Sequence, residues 1–129
     1  MIEIKDLHKS FGGEHILRGI DFKFDTGKTN LVIGQSGSGK SVLMKCMLGL
    51  FTPDKGTIVY DGQAYSSFSD EQKRNLRQKM GMLFQGGALF DSMTVEENVM
   101  FPLRMFTKKK KTELKDRVYE VLERVNLQD

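Results

Sequence analysis

The stretch from residue 34 to residue 41 constrains the fold more than any other part of this 129-residue chain. Its sequence is Gly34-Gln35-Ser36-Gly37-Ser38-Gly39-Lys40-Ser41. Every position matches the pattern G-x-x-x-x-G-K-[ST]. The glycines allow the backbone to curl so that successive N–H groups point at one anion, an approach that larger side chains would block. The pattern therefore predicts a loop that cradles phosphate.

The segments on either side of this loop support the prediction. Residues 29–33 end in the apolar run Leu31-Val32-Ile33 and predict a strand before the loop, and residues 41–48 are compatible with a helix after it. A flexible Gly/Ser linker would not have an apolar run on both sides. In such a loop Lys40 can reach the β- and γ-phosphates of a nucleotide, and the Ser41 hydroxyl can bind Mg²⁺. We expect these residues to contact the nucleotide: Gly34, Ser36, Gly37, Ser38, Gly39, Lys40 and Ser41.

Composition narrows the class of protein. The 20 Lys and Arg residues against 17 Asp and Glu make the chain only mildly basic, which does not indicate a nucleic-acid partner. The local excess at Lys108-Lys109-Lys110-Lys111 is typical of a solvated loop. The single cysteine, Cys46, cannot form an internal disulfide, and its place after the loop predicts a small buried thiol. With no apolar run of about 18 residues or more and no signal-peptide pattern, the sequence predicts a soluble, cytoplasmic chain.

Apolar residues and turn signals predict the other strands of an α/β chain. Strands are expected near residues 2–7, 16–24, 57–60 and 80–84. Asp61-Gly62 predicts a hairpin turn after the third of them. We expect the apolar strands at 29–33 and 80–84 to be neighbours in the core of a mixed sheet.

Three helices are expected besides the one after the loop. Ser69 and Thr94 each begin a capping-box pattern, and Pro102 is expected to limit the helix that follows Thr94. A last, amphipathic helix is predicted by apolar residues at helical spacing, which are Leu114, Val118, Val121, Leu122 and Val125.

Taken in order, these features resemble the ATP-binding subunit of ABC transporters, and the resemblance runs along the whole chain. Residues 7–12, Leu-His-Lys-Ser-Phe-Gly, resemble the first loop of that family, which implies that Phe11 stacks on adenine. The phosphate loop follows, and then a Gly-x-Ile-x-x-Asp-Gly hairpin at residues 56–62. The apolar strand at 80–84 leads into Gln85. The resemblance implies that Gln85 contacts Mg²⁺ or the attacking water and signals to a membrane partner.

The resemblance also implies a fold and a function. The expected fold is an α/β P-loop NTPase of ABC type, N-terminal part only, with an antiparallel β portion before the phosphate loop, and residues 1–129 form one ATP-binding domain. The cofactors would be ATP and Mg²⁺, with catalytic roles for Lys40 and Gln85 and metal contacts from Ser41 and Gln85. The expected partners are a second ATP-binding subunit and a transmembrane permease, reached through residues 86–99, which would hold the protein at the cytoplasmic face of the membrane. Val42 departs from the threonine that is usual in the family, but Ser41 keeps the metal hydroxyl.

Other parts of the family's catalytic machinery do not occur in this sequence. The signature loop of Leu-Ser-Gly-Gly-Gln type, the apolar strand that ends in Asp-Glu and the switch histidine would all follow the last residue, so we expect a fragment. Asp61 ends a strand, but Gly62 follows it where the catalytic glutamate would stand, so a hairpin turn is the better interpretation. The parent protein is expected to hydrolyse ATP, and this chain alone is not.

Residues 84–99 resemble, more closely, the phospholipid-transport branch of the family that is associated with Mce-type lipid carriers. Two other functions stay open at this point. One is a nucleotide-binding module without turnover, and the other is a soluble ABC ATPase that acts in translation or DNA repair without a membrane partner. The segment that follows Gln85 favours the transporter.

Overall fold

A computed structural model describes residues 1–127 as two compact units, which divide between residues 81 and 82. The first unit contains strands β1 (Ile2–Phe11), β2 (Glu14–Phe24), β3 (Lys55–Tyr60) and β4 (Gln63–Ala64), and helices α1 (Lys40–Met47) and α2 (Asp70–Gln78). A single 3₁₀ turn, Tyr65–Ser67, lies between β4 and α2. The second unit contains helices α3 (Val95–Phe106) and α4 (Lys111–Arg124).

The four strands form one antiparallel sheet in the order β2-β1-β3-β4. This confirms the antiparallel portion that was expected before the phosphate loop. Asp61 and Gly62 join β3 to β4 with φ angles of 48° and 86°, the left-handed values that a two-residue hairpin turn of type I′ requires. The predicted turn at Asp61 is therefore confirmed.

The core of the first unit lies between this sheet and α1. Its buried side chains are Ile4, Leu7, Leu17, Leu43, Cys46, Met47, Ile58 and Tyr60. Cys46 is 1% exposed, as expected of a structural thiol, and burial raises its pKa. A thiol that stays protonated inside an apolar core is a poor nucleophile, so Cys46 contributes packing.

The prediction of strands at residues 29–33 and 80–84 is wrong. Both segments have irregular backbone, and the sheet is antiparallel throughout the described residues. Leu31 and Ile33 are each 81% exposed and Leu83 is 92% exposed. A strand is stabilised by hydrogen bonds to a neighbouring strand. No strand within residues 1–127 pairs with either segment, so their apolar content alone does not make them strands.

Both predicted capping boxes are present, and each begins a helix. Ser69 accepts the Gln72 N–H at 3.2 Å while Gln72 accepts the Ser69 N–H at 2.8 Å, and Thr94 and Glu97 make the same reciprocal pair. Each box satisfies N–H groups that have no acceptor inside the helix.

Pro102 does not limit α3, which continues to Phe106. Proline removes one backbone donor from the helix, but the following turn is closed by Thr107, whose N–H and hydroxyl both donate to the Leu103 carbonyl. Burial of Met100 against Leu114 and Val118 of α4 also stabilises the helix. The predicted stripe of α4 is thus confirmed at Leu114 and Val118, but Val125 at its end is 58% exposed.

Tyr60 provides a test of the core. Its side chain is 5% exposed and its hydroxyl donates to the carbonyl of Met47 at the end of α1. We expect Tyr60→Phe to lower the free energy of unfolding by about 1–3 kcal/mol, because the buried Met47 carbonyl loses its donor. Urea titration followed by circular dichroism measures this change.

The matched control for Tyr60→Phe is Tyr119→Phe, since Tyr119 is 58% exposed on α4. It removes the same hydroxyl and should change the free energy of unfolding by less than about 0.5 kcal/mol. Equal effects from the two variants would contradict the role assigned to the Tyr60 hydroxyl.

Candidate phosphate-binding site

The predicted phosphate loop curls directly into the start of α1. The Ser38 N–H donates to the Gln35 carbonyl at 3.2 Å, which turns the chain within the loop. Gly39 caps the helix with a φ of 92°, and its carbonyl accepts the Leu43 N–H at 2.8 Å. The first N–H groups of a helix have no acceptor inside it and carry the positive end of the helix dipole. The end of the loop thus has the geometry that favours an anion.

Gly39 also fixes the loop to the sheet. It is buried, and a Cβ atom at this position would lie 3.0 Å from Ile16 Cγ2 and 3.1 Å from Leu17 Cδ2 of β2. The missing side chain therefore allows the start of α1 to pack directly against β2. The sequence analysis explained the glycines of the loop by their backbone freedom, and it gave no indication of this contact.

Lys40 folds back over the loop that precedes it. Its ammonium donates to the carbonyls of Gly34 and Gln35, both at 2.7 Å. Among residues 1–127, no carboxylate lies within ion-pair distance of this ammonium. Its two acceptors are neutral, so the positive charge remains available to an anionic ligand.

Two hydroxyl groups belong to the end of the loop and the first turn of α1. Ser41 is the second residue of α1 and is exposed, and Ser38 lies over Gly34, where its Oγ would be 2.6 Å from an added Cβ. Within residues 1–127, no group of three or more His, Cys, Asp or Glu side chains is arranged to hold a metal ion. Mg²⁺ is commonly bound by one or two protein oxygens together with nucleotide phosphates and water. The Ser41 hydroxyl oxygen is therefore a suitable ligand for this ion.

A cavity of about 350 Å³ lies beside the loop in the first unit. Apolar residues of β2 and of residues 31–33 form most of its lining, which also includes Ser38, Gly39 and Lys40. Burying a phosphate group in such surroundings is costly, because most of its oxygens would lack hydrogen-bond donors. The open face of the loop suits the phosphates better than this cavity does.

The two remaining predicted site residues lie in different units. Phe11 ends β1 in the first unit and is 42% exposed. Gln85 lies in the second unit, is exposed and is part of a turn that the Gly87 N–H closes on the Phe84 carbonyl at 3.0 Å. The convergence of Gln85 on the phosphate loop stays a prediction.

The loop after Gln85 is held by a residue whose role the sequence analysis missed. Asn98 of α3 accepts the Phe90 N–H at 2.8 Å and donates to the carbonyls of Phe90, Met93 and Thr94 at 3.0–3.2 Å. One amide thereby ties the loop to the start of α3. An asparagine on the helical turn that follows a capping box is the signal that could have indicated it.

The family model described as ABC transporter matches residues 17–129 of this chain, which is most of its length. The chain belongs to the ABC transporter family. The residues that the family model matches include the phosphate loop, α1 and the loop that Asn98 holds.

Several curated relatives match almost the whole chain. The probable ribonucleotide transport ATP-binding protein mkl of Mycobacterium leprae is 42% identical over 126 residues, which cover 98% of this chain and 36% of that protein. The protein TRIGALACTOSYLDIACYLGLYCEROL 3, chloroplastic, of Arabidopsis thaliana is 43% identical over 128 residues, with the same coverage of 98% and 36%. The chain thus spans about a third of the length of these relatives.

A solved structure shows the same fold. The dimeric post-hydrolysis state of the ATP-binding cassette MJ0796, bound to ADP and Pi, matches with a TM-score of 0.85 and 26% identity. The match covers 98% of this chain and 57% of that chain. The fold is therefore the ABC ATPase fold over the part that the two chains share. None of the helices within residues 1–127 is both long and apolar enough to span a bilayer.

Gly39→Ala tests the packing of the phosphate loop on β2. The added methyl group would meet Ile16 and Leu17, and alanine is strained at a φ of 92°. We expect a loss of about 2–4 kcal/mol in the free energy of unfolding, from left-handed strain of about 1–2 kcal/mol plus overpacking. Chemical denaturation measures it.

Gly37→Ala is the matched control for this substitution. Gly37 has a φ of 79° in the same loop, and an added Cβ would meet nothing within 4 Å. Only the strain of about 1–2 kcal/mol is expected there. If both variants lowered the free energy of unfolding equally, the close contact of Gly39 with β2 would not contribute to stability.

Proposed function

We propose that this chain binds MgATP through residues 34–41, and that the longer protein to which it corresponds hydrolyses ATP to drive transport across a membrane. The observation that carries the proposal is the position of the Lys40 ammonium. It lies 2.7 Å from two neutral carbonyls of the loop, at the start of a helix, without a carboxylate partner among residues 1–127. A cation and helix N–H groups that face one loop form a site for a polyphosphate.

The other site residues take their roles from this arrangement. In the proposal, Ser41 binds Mg²⁺ together with the phosphates, and Phe11 stacks on the adenine. Both side chains are exposed in the first unit. Gln85 would join the metal or the attacking water from the second unit. Phosphoryl transfer depends on positioning and on neutralisation of charge, and these are the functions that Lys40 and Mg²⁺ would serve.

We propose further that this chain binds ATP without turnover by itself. The only Asp-Glu pair in the sequence is Asp70-Glu71, and it opens α2, where both carboxylates belong to the first turn of the helix. No strand among the described residues ends in such a pair. At saturating MgATP, phosphate release is expected to stay at the rate of a Lys40→Ala variant.

A permease is the proposed partner of the second unit, through residues 86–99. Leu89 is 69% exposed and Phe90 is 46% exposed, while the amide of Asn98 and the ring of Phe101, 4.8 Å from that of Phe90, hold their loop. An apolar side chain displayed on a fixed loop is suited to a protein partner. This contact would place the protein at the cytoplasmic face of the membrane, and a second ATP-binding subunit would complete a dimer.

The cargo that we propose is a lipid. Residues 84–99 resemble the phospholipid-transport branch, and the similar Arabidopsis protein bears the name of a glycolipid, whereas the name of the similar mycobacterial protein refers to ribonucleotides. Reconstitution of the complete transporter in liposomes with a fluorescent phospholipid would test it. ATP-dependent movement of the phospholipid supports the proposal, and its absence while ribonucleotide is moved overturns it.

Lys40→Ala tests the binding site directly. A charge-assisted contact to phosphate is worth roughly 1.5–3 kcal/mol, so MgATP should bind about 10- to 150-fold more weakly. Isothermal titration calorimetry with the 129-residue chain measures the affinity. The control is Lys28→Ala, which removes a 70% exposed cation that pairs with Asp25 at 3.1 Å and should leave the affinity unchanged. Unchanged affinity in the Lys40 variant would refute the site.

The permease contact is tested with Leu89→Asp. The immobilised chain should retain a multispanning membrane protein from detergent-solubilised membranes of its own organism, and this variant should lose it, because a charge at the contact must be desolvated. Val125→Asp is the control, since Val125 is 58% exposed but lies at the end of α4. Loss of the membrane protein with both variants, or with neither, would argue against residues 86–99 as the contact.

A further inference from the structure

The ring of Phe11 is held by two residues, one of them distant in the chain. Phe51 packs edge-on against it, with the ring centroids 5.1 Å apart and the planes at 65°. The Lys9 ammonium lies 5.2 Å from the centroid of the Phe11 ring. Phe11 nevertheless remains 42% exposed. Its orientation is therefore restrained while much of its surface stays accessible, which suits a stacking platform.

Asp54 holds Lys9 in place. The Lys9 ammonium donates to Asp54 Oδ1 at 2.7 Å, and the Lys9 side chain is only 16% exposed. The second oxygen of Asp54 accepts the backbone N–H of Ser10 at 2.6 Å. Both hydrogen bonds lower the pKa of the Asp54 carboxyl, and the bond from Lys9 has the larger effect. Asp54 therefore fixes both residues that precede Phe11 in β1.

The position of Phe51 is set by the end of α1. The N–H groups of Leu50 and Phe51 both donate to the Lys45 carbonyl, at 2.8 and 3.2 Å, and the Lys45 ammonium lies 5.3 Å from the centroid of the Phe51 ring. Helix α1 has eight residues, a length of about 12 Å. The phosphate loop therefore lies at the start of this short helix, and Phe51, which contacts Phe11, follows its end.

We propose that Phe51 and the Lys9–Asp54 ion pair are positioning residues for the nucleobase, which hold Phe11 in the orientation that stacks on adenine. This inference rests on the proposed function, in which Phe11 is the stacking residue. Phe51 and Asp54 act through Phe11 and do not touch the nucleotide. Their loss should therefore weaken the binding of ligands that contain a base and leave the binding of phosphate groups unchanged.

The experiment compares two ligands, MgATP and magnesium tripolyphosphate, by calorimetry on the 129-residue chain. Phe11→Ala should weaken ATP binding by roughly 5- to 150-fold, the range for loss of one stacked base. Phe51→Ala should weaken it by roughly 3- to 10-fold, the range for loss of one aromatic pair. Neither variant should change tripolyphosphate affinity. In the Phe11→Ala background, Phe51→Ala should have no further effect on ATP binding.

Three more variants separate positioning from a general effect on the fold. Phe51→Tyr keeps the ring and should retain ATP affinity, while Asp54→Asn removes the charge that holds Lys9 and should behave like Phe51→Ala. Phe51→Leu keeps apolar volume without a ring and replaces Phe51→Ala if that variant does not fold. The matched control is Phe22→Ala, which removes one ring of another edge-on pair, 4.7 Å from the ring of Phe24, and should leave both affinities unchanged.

Two results would overturn the inference while base stacking stands. The first is that Phe51→Ala and Asp54→Asn bind ATP as tightly as the unaltered chain although Phe11→Ala does not. The second is that they weaken ATP and tripolyphosphate binding equally. If Phe11→Ala itself bound ATP normally, the stacking role in the proposed function would fail, and the inference would fail with it.

Discussion

The close packing of α1 against β2 is the constraint on which the rest of the site depends. Gly39 lies where any side chain would meet Ile16 and Leu17, and its left-handed backbone turns the phosphate loop into the helix. Two requirements, a turn and a close approach, therefore fall on one residue. This contact fixes where α1 begins against β2, and the carbonyls of Gly34 and Gln35 hold the Lys40 ammonium over the loop.

The buried face of the same helix connects the site to the core. Leu43, Cys46 and Met47 pack with β1, β2 and β3, and the Tyr60 hydroxyl binds the carbonyl of Met47 where the helix ends. The chain then turns through Leu50 to Phe51, whose ring contacts Phe11. Burial of one face of α1 thus restrains the loop before it and the aromatic contact after it. In our proposal these two places bind the phosphates and the base of one nucleotide.

Features that depend on a few adjacent residues could be predicted from the sequence. The capping boxes at Ser69 and Thr94, the turn at Asp61 and the passage of the glycine-rich loop into α1 each have a short pattern with one local geometry, and the structure contains all four. The strands expected at 29–33 and 80–84 depended instead on partners that an apolar run does not specify. The prediction that Pro102 limits α3 was wrong for a related reason, because packing of α3 on α4 outweighs the loss of a single backbone donor.

The contacts that restrain the site were not accessible to sequence reasoning because they join distant positions. Nothing in the sequence around Asp54 indicates that its carboxylate binds Lys9 and Ser10, 44 or 45 residues earlier. The pattern around Gly39 likewise explains its backbone angle but not its contact with Ile16. Each pairing is set by the register of β1 with its neighbours and by the path of α1.

The most direct test of the central claim is a titration of the ¹⁵N-labelled chain with MgATP, followed residue by residue through its backbone amide shifts. If the loop and helix start bind the phosphates, the largest shifts will occur at residues 37–41, with smaller changes at Phe11. Shifts confined to the lysines at 108–111, with residues 37–41 unchanged at saturating nucleotide, would mean that ATP binds by general charge attraction, and the account would be wrong.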